Sequence, residues 1–411
     1  MVVPKDQAAP NVLLRQARES HQLTQDELAD GLIQLGAGGV TGGLVSKWER
    51  GICRPSAFHR RLLCQFFEAT REQLGLSGRL SALSGDAPAG GLLRHAGDAA
   101  VEARQKQSAV DPLTLDELDQ DVERFALECL GVPHADLFPQ VWDHWQRVEQ
   151  LLDRRQSLGD RAHLTLLGGQ LTYFLSRLSF NLGDYTAARR HVALAWQYAE
   201  DVGQAVLCAS VKTLQGTIAF YAGQHRRSLD CLQGAEGYDN PYNRPRIAAN
   251  RARVHAVLGE RRDAEQALAT MERHLVDLPV QPGDSPYTPA TGMSAMATTF
   301  VWLGDGEIAE DYARQSVALH NRPGVRHTLF EDRGNATLNL AASLLARRHA
   351  EPEEAARLGI EVMAAPEGHR TETVRKRGAE LLELLRGWRS TPAVRDYAEA
   401  LREYRLLRPS A

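Results

Sequence analysis

The chain has 411 residues, of which 43% are hydrophobic and 24% charged, so it can bury a large core and form two or three domains. This composition excludes a disordered or fibrous protein. The chain has 48 Lys and Arg and 52 Asp and Glu, so its formal net charge is −4. Any contact with nucleic acid must therefore come from a local basic patch.

The cysteines indicate a reducing compartment. There are five of them, an odd number, and no two form a C-x-x-C pair, which argues against a disulfide framework or a zinc site. The first ten residues lack the apolar stretch of a secretory signal, and nowhere do about 18 apolar residues run together as a membrane-spanning helix requires. We therefore expect a cytoplasmic protein with no membrane partner.

Signals for short helices are concentrated between residues 11 and 68. Thr24 followed by Glu27 is a capping-box pattern, which predicts the start of a second helix. The run VTGGLVSKWERG at residues 40–51 predicts a third helix, capped by Thr41 and ended by Gly51. A fourth helix is expected after the Arg-Pro-Ser sequence at residues 54–56.

The segment from Val45 to Gly51, followed by Arg54-Pro55, resembles the helix-turn-helix of the Cro/phage-repressor (Xre-type) family. In that family the third helix enters the major groove, while the start of the second helix and the loop after the third contact the DNA backbone. The resemblance implies two residues near the bases, Thr41 and Lys47. It implies phosphate or sugar contacts from Gln25, Ser46 and Arg54.

A local basic patch accompanies this motif. Between Lys47 and Arg61 there are five basic residues and one acidic residue, Glu49, a balance that suits contacts with phosphates. The patch adds Arg50 and Arg60 to the candidate DNA-binding residues. For Arg50 the alternative is that it braces the fold together with Glu49.

Two glycines occupy the positions at which the family usually reads bases. Gly42 and Gly43 have no side chain that can bond a base edge, so each lost bidentate contact gives up about 1–3 kcal/mol of discrimination. Shape readout, phosphate contacts or paired half-sites must therefore supply more of the specificity.

The composition changes after residue 76. Residues 77–112 have the Gly, Ser and Pro content of a linker, which divides the chain into an N-terminal domain at residues 1–76 and a C-terminal domain at residues 113–411. The pattern from Thr114 to Glu117 predicts, as a capping box, the start of a long run of helices.

The C-terminal domain contains a degenerate repeat. Turn residues recur at spacings of 40, 36, 45 and 46 residues, and a small residue follows each of them five positions later. Small residues allow two helices to cross closely, so each unit is predicted to be a helix pair. The turn residues are Gly183, Gly223, Gly259, Gly304 and Ala350, and the small residues are Ala188, Ser228, Ala264, Ala309 and Ala355.

The sequence Leu182-Gly183-Asp184-Tyr185 with Ala188 resembles the core of the tetratricopeptide repeat, and Leu303-Gly304 with Ala309 is similar to it. The resemblance covers residues 160–365 and implies an α-solenoid of helix pairs. The fold class expected for the whole chain is all-α, with a repressor-type helix-turn-helix bundle followed by a tetratricopeptide-like solenoid. The alternative is a helical bundle without repeats.

A polar stripe marks the first helix of each predicted pair. Thirteen and six positions before the turn residues stand Gln170, Arg177, Ser210, Thr217, Arg246, Arg253, Thr291, Thr298, Thr337 and Leu344. Such positions are expected to line the concave surface that helical solenoids use for ligands. The candidate ligand-binding residues on or beside the stripe are Gln170, Tyr173, Arg177, Arg246, Asn250 and Arg253. The alternative is a plain solvated face.

No pattern in the chain indicates catalysis. The glycine run at residues 36–43 is followed by Leu44 where a phosphate-binding loop has lysine, and Gly304-Asp305-Gly306 lacks the third glycine of a dinucleotide-binding turn. The 14 histidines show no metal-ligand spacing. We therefore expect no enzyme activity, no catalytic residue, no cofactor and no metal site.

A repressor-type head joined to a helical-repeat body is similar to the peptide-sensing (quorum-sensing) RRNPP class of Gram-positive bacteria and to actinobacterial helix-turn-helix/tetratricopeptide regulators. The resemblance implies a homodimeric transcription regulator that binds double-stranded DNA at an inverted repeat. Its repeat domain is expected to bind a small effector, with a peptide favoured over another small molecule. The alternative is a scaffold whose repeats bind a protein partner and whose head no longer recognises DNA.

Overall fold

The computed structural model describes residues 10–35, 40–71, 73–76, 110–129, 131–238, 240–276, 284, 287–322 and 330–406. The chain forms two compact units, Met1–Asp98 and Ala99–Ala411. The boundary falls within the predicted linker, of which residues 77–109 lie outside the described part. The described residues form helices and no strand, which confirms the all-α expectation. None of these helices is long and apolar enough to cross a lipid bilayer.

The first unit contains four described helices, and the sequence signals fix their ends. The capping box is present, because Thr24 Oγ1 accepts a hydrogen bond from the Glu27 amide at 3.1 Å and the Glu27 carboxylate accepts one from the Thr24 amide at 2.7 Å. Thr41 caps the third helix, and Gly51 follows it with a left-handed φ of 70°. The helices are α1 (Val12–Ser20), α2 (Gln25–Gln34), α3 (Gly42–Glu49) and α4 (Ala57–Phe66).

A buried ion pair joins α1 to the end of α3. The Arg18 Nε lies 2.6 Å from the Glu49 carboxylate, and the two side chains are 10% and 3% exposed. Arg18 also donates to the Leu23 carbonyl at 2.7 Å, which fixes the turn between α1 and α2. Glu49 therefore does brace the fold, although its partner is Arg18 and not Arg50. The surrounding core contains Leu14, Leu28, Leu32, Val45, Trp48 and Leu63.

The described residues of the second unit are mainly helical. The first of its helices begins at Pro112, two residues before Thr114, so the predicted capping box from Thr114 to Glu117 is wrong. The helix starts earlier because proline at the first helical position already has the φ angle of a helix. The helices are α5 (Pro112–Glu128), α6 (His134–Leu152), α7 (Leu158–Asn181), α8 (Tyr185–Val202), α9 (Ala205–Tyr221), α10 (His225–Glu236), α11 (Arg244–Val257), α12 (Arg261–His274), α13 (Pro289–Leu303), α14 (Gly306–His320), α15 (Phe330–Ala346), α16 (Pro352–Met363), α17 (Glu372–Leu384) and α18 (Pro392–Glu403).

From α7 onward the helices pack as consecutive pairs, as the repeat predicts. Four of the five turn residues are glycines, and all four have a left-handed φ between 75° and 82°. The five small residues that follow them are buried at the crossing of each pair. At Ser228 the contact is close enough for its hydroxyl to donate to the Gly216 carbonyl of the preceding helix at 2.7 Å. A sixth pair, α17 with α18, is joined through a 3-10 turn at Leu385–Trp388 and was not predicted as a repeat. Gly387 in that turn does not have the left-handed φ of the four turn glycines.

The first and last helix pairs of this unit also touch. An open solenoid makes contacts only between neighbouring repeats. Here the Asn181 amide at the end of α7 donates to Glu331 of α15 at 2.8 Å, and the Tyr185 hydroxyl donates to Glu372 of α17 at 3.2 Å. The row of helix pairs therefore closes on itself, and its concave surface becomes the wall of a cavity.

The buried ion pair gives a stability test for the first unit. Replacing Arg18 with Ala leaves the Glu49 carboxylate buried without its cation, so we expect a loss of about 3 kcal/mol or more in the free energy of opening α1 and α3. Amide hydrogen exchange of these helices in the full chain measures it. Arg15→Ala removes an arginine from an exposed pair on the same helix and should leave exchange unchanged. Equal effects of both changes would contradict the role assigned to Arg18.

Candidate functional site

Helix α3 has one buried side and one exposed side. Val45 and Trp48 lie in the core, whereas Lys47 and Arg50 are exposed. The start of α3 touches the start of α2, because a Cβ on Gly42 would lie 2.0 Å from Asp26 Oδ1 and 3.0 Å from the Asp26 backbone nitrogen. The starts of these two short helices are therefore in close contact, and the side of α3 that carries Lys47 remains exposed.

The sequence-predicted DNA-binding residues differ in exposure. The exposed ones are Thr41, Lys47, Arg50 and Arg54, and the half-buried ones are Gln25, Ser46 and Arg60. The structure therefore places four of the seven at the surface along α3 and the loop after it. Arg50 donates to the Ser46 carbonyl at 3.3 Å, within its own helix.

Gln25 has a structural partner. Its side-chain amide donates to Glu49 Oε2 at 2.7 Å and so helps to satisfy the buried carboxylate that Arg18 also holds. This bond uses one of the two N–H donors of the amide, so the other is the one left for a phosphate. The sequence pointed to Gln25 as a residue at the start of α2. It did not reveal that Glu49, 24 positions later in the chain, is the hydrogen-bond partner of Gln25.

The α4 side of the patch contributes less charge than its composition suggests. The His59 ring packs against Trp48 with a centroid distance of 5.1 Å, and burial lowers the pKa of His59. This histidine is therefore neutral at neutral pH. Arg60 is half-buried, and its Nε is buried without a hydrogen-bond partner among the described residues.

The two glycines of α3 have different surroundings. Gly42 is buried against α2, so its lack of a side chain is required by helix packing. Gly43 is exposed, and a Cβ there would meet only its neighbour Thr41 Oγ1, at 3.7 Å. Helix packing therefore explains the glycine at position 42 but not the one at position 43.

The second candidate region is the cavity inside the closed row of helix pairs. Its volume is about 220 Å³, far more than one water molecule needs. Side chains reach it from the first helix of all six pairs, namely α7, α9, α11, α13, α15 and α17. The helix-pair repeat thus directs one face of every first helix into a common space.

Five of the six sequence-predicted ligand-binding residues line this cavity. They are Tyr173, Arg177, Arg246, Asn250 and Arg253, and the stripe positions Ser210, Thr217, Thr291 and Thr298 line it as well. Gln170 is buried within α7 and does not line the cavity. Asn250 donates to the Arg246 carbonyl and accepts a hydrogen bond from Arg253 at 2.7 Å, so it positions that arginine.

The stripe fails in the fifth pair. Thr337 and Leu344 do not line the cavity, whereas Asp332 and Asn335 do. The reason is a longer turn: α15 ends at Ala346, and three more residues precede Ala350, whereas α7, α9 and α11 end two residues before their turn glycines. Sequence reasoning also missed Glu331, Tyr287 and Arg377, and for Arg377 the missing signal was a turn glycine in the sixth pair.

A charged cluster forms one end of the cavity. The Asp284 carboxylate is fully buried and accepts hydrogen bonds from Arg246 Nη1 at 2.6 Å, the Tyr173 hydroxyl at 2.7 Å and the Ser210 hydroxyl at 2.5 Å. Burial and this carboxylate raise the pKa of Tyr173, so its hydroxyl stays protonated and continues to donate. The cluster therefore holds one carboxylate with its full set of donors.

Asp332, at the same end, is less well satisfied. It accepts a hydrogen bond from the Thr291 hydroxyl at 3.4 Å. Burial, with a contribution from neighbouring Glu331, raises the pKa of Asp332 from the ordinary value of 3.8 to about 6, although Arg177 and Arg246 oppose the shift. With a pKa of about 6 this carboxylate still carries its charge at neutral pH, at a desolvation cost that its surroundings offset only in part.

Two arginines form the other end. Arg253 stacks over the Phe220 ring at 4.2 Å, and Arg377 donates to the Thr298 hydroxyl at 3.2 Å and to Asn339. Burial lowers the pKa of Arg253, and the nearby charge of Arg377 adds to the effect. In the part of the chain that the structure describes, neither guanidinium forms an ion pair with a carboxylate.

One possible metal-ligand cluster lies outside the cavity. His255, Glu260 and Asp263 bring three ligand atoms within 4.8 Å of one another at the turn between α11 and α12. The His255 Nδ1 and the Glu260 carboxylate already lie 2.7 Å apart, and Glu260 also accepts from Arg226. These bonds give the cluster a structural role in the turn.

No protein-family model matches the chain, and no curated protein matches it. Function must therefore be inferred from the chemistry of the two regions described above, the exposed basic face of α3 in the first unit and the charged cavity in the second.

The two glycines of α3 allow a matched test of helix packing. Gly43→Ala should slow amide exchange in α3, because alanine stabilises a helix by up to about 1 kcal/mol relative to glycine and the site has room for a Cβ. Gly42→Ala should speed exchange, because the new Cβ meets Asp26 and overpacking costs about 1–3 kcal/mol. Amide exchange of α3 is measured in the full chain for both variants. Equal exchange rates in Gly42→Ala and Gly43→Ala would contradict the close packing of Gly42 against α2.

The raised pKa of Asp332 predicts that replacing its carboxylate with an amide stabilises the fold by an amount that depends on pH. The folded chain holds this proton more tightly than the unfolded chain does, so Asp332 lowers stability as the pH rises from the ordinary value of 3.8 to about 6. Asp332→Asn should therefore raise the melting temperature of the second unit more at about pH 7.5 than at about pH 4.5. Exposed Asp311→Asn on α14 is the control and should show no such difference. An equal gain at both pH values would contradict the assignment.

Proposed function

We propose that the protein is a DNA-binding transcription regulator whose helical-repeat unit binds a small effector. The observation that carries the proposal is the exposure of four candidate residues at α3 and its flanks, while Val45 and Trp48 of the same helix are buried in the core. Thr41 precedes the helix, Lys47 lies within it, and Arg50 and Arg54 follow it. The resemblance of this segment to the Xre-type helix-turn-helix supports the same conclusion.

The chemistry of this face favours phosphate contacts over extensive base readout. Three of the four exposed side chains are cations. Each cation that neutralises a phosphate releases counterions and adds affinity that does not depend on the DNA sequence. The resemblance implies that Thr41 and Lys47 lie nearest the base edges, and the two positions between them add no side chain, since Gly42 is buried and Gly43 has none. A homodimer that reads two half-sites of an inverted repeat would supply the specificity that one head lacks.

The last helices offer surface for such a dimer. Leu384 at the end of α17 is 46% exposed, and Trp388 in the 3-10 turn after it is 36% exposed. Large apolar side chains at the surface are common at sites of association. We propose this end of the second unit as the dimer contact. A cytoplasmic location completes the proposal and agrees with five cysteines that are all free thiols.

The cavity supports the effector part of the proposal. It is a concave space lined by aromatic and polar side chains that converge from six helices, which is the usual form of a small-molecule site. An effector can control DNA binding only if it prefers one arrangement of the protein to another. Because the cavity wall includes every helix pair, its occupant can act on the arrangement of all six.

Removing the cations of α3 tests the DNA-binding function. The double change Lys47→Ala with Arg54→Ala should weaken binding to a duplex selected from random DNA. It should also lower the slope of log affinity against log salt concentration by about 2, one for each lost phosphate contact. Fluorescence anisotropy over a salt series measures both quantities.

The control for this test is Arg15→Ala with Arg71→Ala, which removes the same charge from exposed positions outside α3. Its salt slope should match that of the unchanged protein. If the original chain selects no duplex, or if both double variants lose affinity equally, the observations favour the scaffold alternative, which the two glycines of α3 make the second candidate function.

A further inference from the structure

Two arginines on the same helix of the cavity have different surroundings. Arg246 and Arg253 lie seven residues apart on α11, and both side chains are half-buried. Burial opposes the charge of both, yet the Asp284 carboxylate, 2.6 Å from Arg246, raises the pKa of Arg246. Burial instead lowers the pKa of Arg253, which forms no ion pair with a carboxylate in the part of the chain that the structure describes. Arg246 is therefore matched by the protein, whereas Arg253 is not.

Arg377 of α17 joins Arg253 in the same part of the cavity wall. The charge of Arg377 adds to the burial that lowers the pKa of Arg253, so the two guanidinium groups are close enough to repel each other. Arg253 makes one hydrogen bond, from Nη2 to Asn250, and the Nε atoms of both arginines have no partner among the described residues. The pair therefore has N–H donors to offer an anion, and a carboxylate matches their planar geometry.

The charges around this pair favour an anion with one negative charge. Glu380, one turn after Arg377 on α17, opposes the fall in the pKa of Arg253, but among the described residues it forms no ion pair with either arginine. Two guanidinium groups and one carboxylate leave a net charge of +1. A monoanion neutralises this charge, whereas the second charge of a dianion would meet repulsion from Glu380.

The wall next to the pair is apolar. Ala249 lies one turn before Arg253 on α11, and Ala295 lies one turn before Thr298 on α13, so each alanine is the neighbour of a residue at the arginine pair. Both alanines line the cavity, as does the Tyr221 ring, whose centroid lies 5.3 Å from the Arg253 guanidinium carbon. An anion bound by the arginines would therefore extend its remaining atoms along small and aromatic side chains.

We propose that the cavity binds a small monocarboxylate with an apolar body, whose carboxylate is held by Arg253 and Arg377 and whose body contacts Ala249 and Ala295. The cavity volume of about 220 Å³ lies below the roughly 300–1,000 Å³ that is typical of pockets for drug-sized ligands. This size favours a compact molecule over the peptide that the family resemblance implies. The inference rests on the proposed effector role of the cavity and names its ligand class.

Calorimetric titration of the full chain with benzoate tests the proposal. Benzoate should bind, and benzamide, which has the same shape and no charge, should bind about 10- to 100-fold more weakly. Acetate, which keeps the carboxylate and lacks the ring, should lose a similar factor of about 10 to 100. The proposal is wrong if benzoate does not bind, or if benzamide or acetate binds as tightly as benzoate.

Two further ligands distinguish other sources of the anion. Phenyl phosphate carries a second negative charge at about pH 7.5, and it should bind more weakly than benzoate because of Glu380. N-acetyl-trialanine carries its carboxylate on a longer peptide and should also bind more weakly. Tighter binding of phenyl phosphate would make this a phosphate site, and tighter binding of N-acetyl-trialanine would make it a peptide site. Either result overturns the monocarboxylate assignment.

Variants locate the carboxylate. Arg377→Gln should weaken benzoate binding about 10- to 100-fold and leave benzamide binding unchanged. Arg251→Gln, on the same helix as Arg253 but paired with Glu236, is the control and should bind benzoate normally. Equal benzoate affinities of these two variants would contradict the assignment.

A second change at the same position guards against misfolding, which the melting temperature of each variant reports. Arg377→Lys keeps the charge and loses the planar donors, so it should fold and bind benzoate several-fold more weakly than the original chain. If Arg377→Gln does not fold, an unchanged benzoate affinity in Arg377→Lys would overturn the role of Arg377.

The titration stands apart from the test of DNA binding. If the full chain binds its selected duplex but no benzoate, the ligand class is wrong and the regulator proposal stands. If it binds benzoate with the expected preferences but shows no duplex preference, the ligand assignment stands and the regulator proposal fails.

Discussion

Glu331 makes the contact on which the architecture of the second unit depends. Its carboxylate accepts a hydrogen bond from Asn181 at the end of α7 and another from the Thr373 hydroxyl at the start of α17, at 2.8 and 2.6 Å. One side chain of the fifth helix pair thereby joins the first pair to the sixth. A solenoid of this kind would otherwise present an open groove. With its ends joined, the row of helix pairs surrounds the groove, and many of the polar side chains that line it are half-buried.

Enclosure changes the chemistry of these side chains. A threonine, asparagine or arginine on an open groove keeps its water partners, whereas in a closed cavity it must find partners in the protein or in a ligand. Asp284 has found three donors in the protein. Arg253 and Arg377 have not found a carboxylate among the described residues, and burial lowers the pKa of Arg253. Both arginine side chains are half-buried, and neutral hydrogen-bond partners hold them in place of a carboxylate.

The first unit distributes its charges differently. The buried ion pair of Arg18 with Glu49 joins α1 to α3, and Gln25 adds a third bond to the carboxylate. Lys47, Arg50 and Arg54 lie at the surface, where water solvates them, and Arg60 is half-buried. The charge that stabilises this unit is therefore inside, whereas most of the basic patch is exposed to solvent.

The sequence by itself determined the all-α fold class, the helix caps at Thr24 and Thr41, the turn glycines and the small residues at each helix crossing. These features are local, because a cap or a left-handed turn depends on residues within a few positions of each other. It also placed Tyr173, Arg177, Arg246, Asn250 and Arg253 on one stripe, since a regular repeat converts spacing into direction. Only the tertiary structure decided that the stripe closes into a cavity, that Gln170 lies outside it, and that Glu331, Asp332 and Arg377 belong to it. Those facts depend on contacts between residues as many as 150 positions apart, such as Asn181 with Glu331, and on a turn before Ala350 that shifts the register of α15.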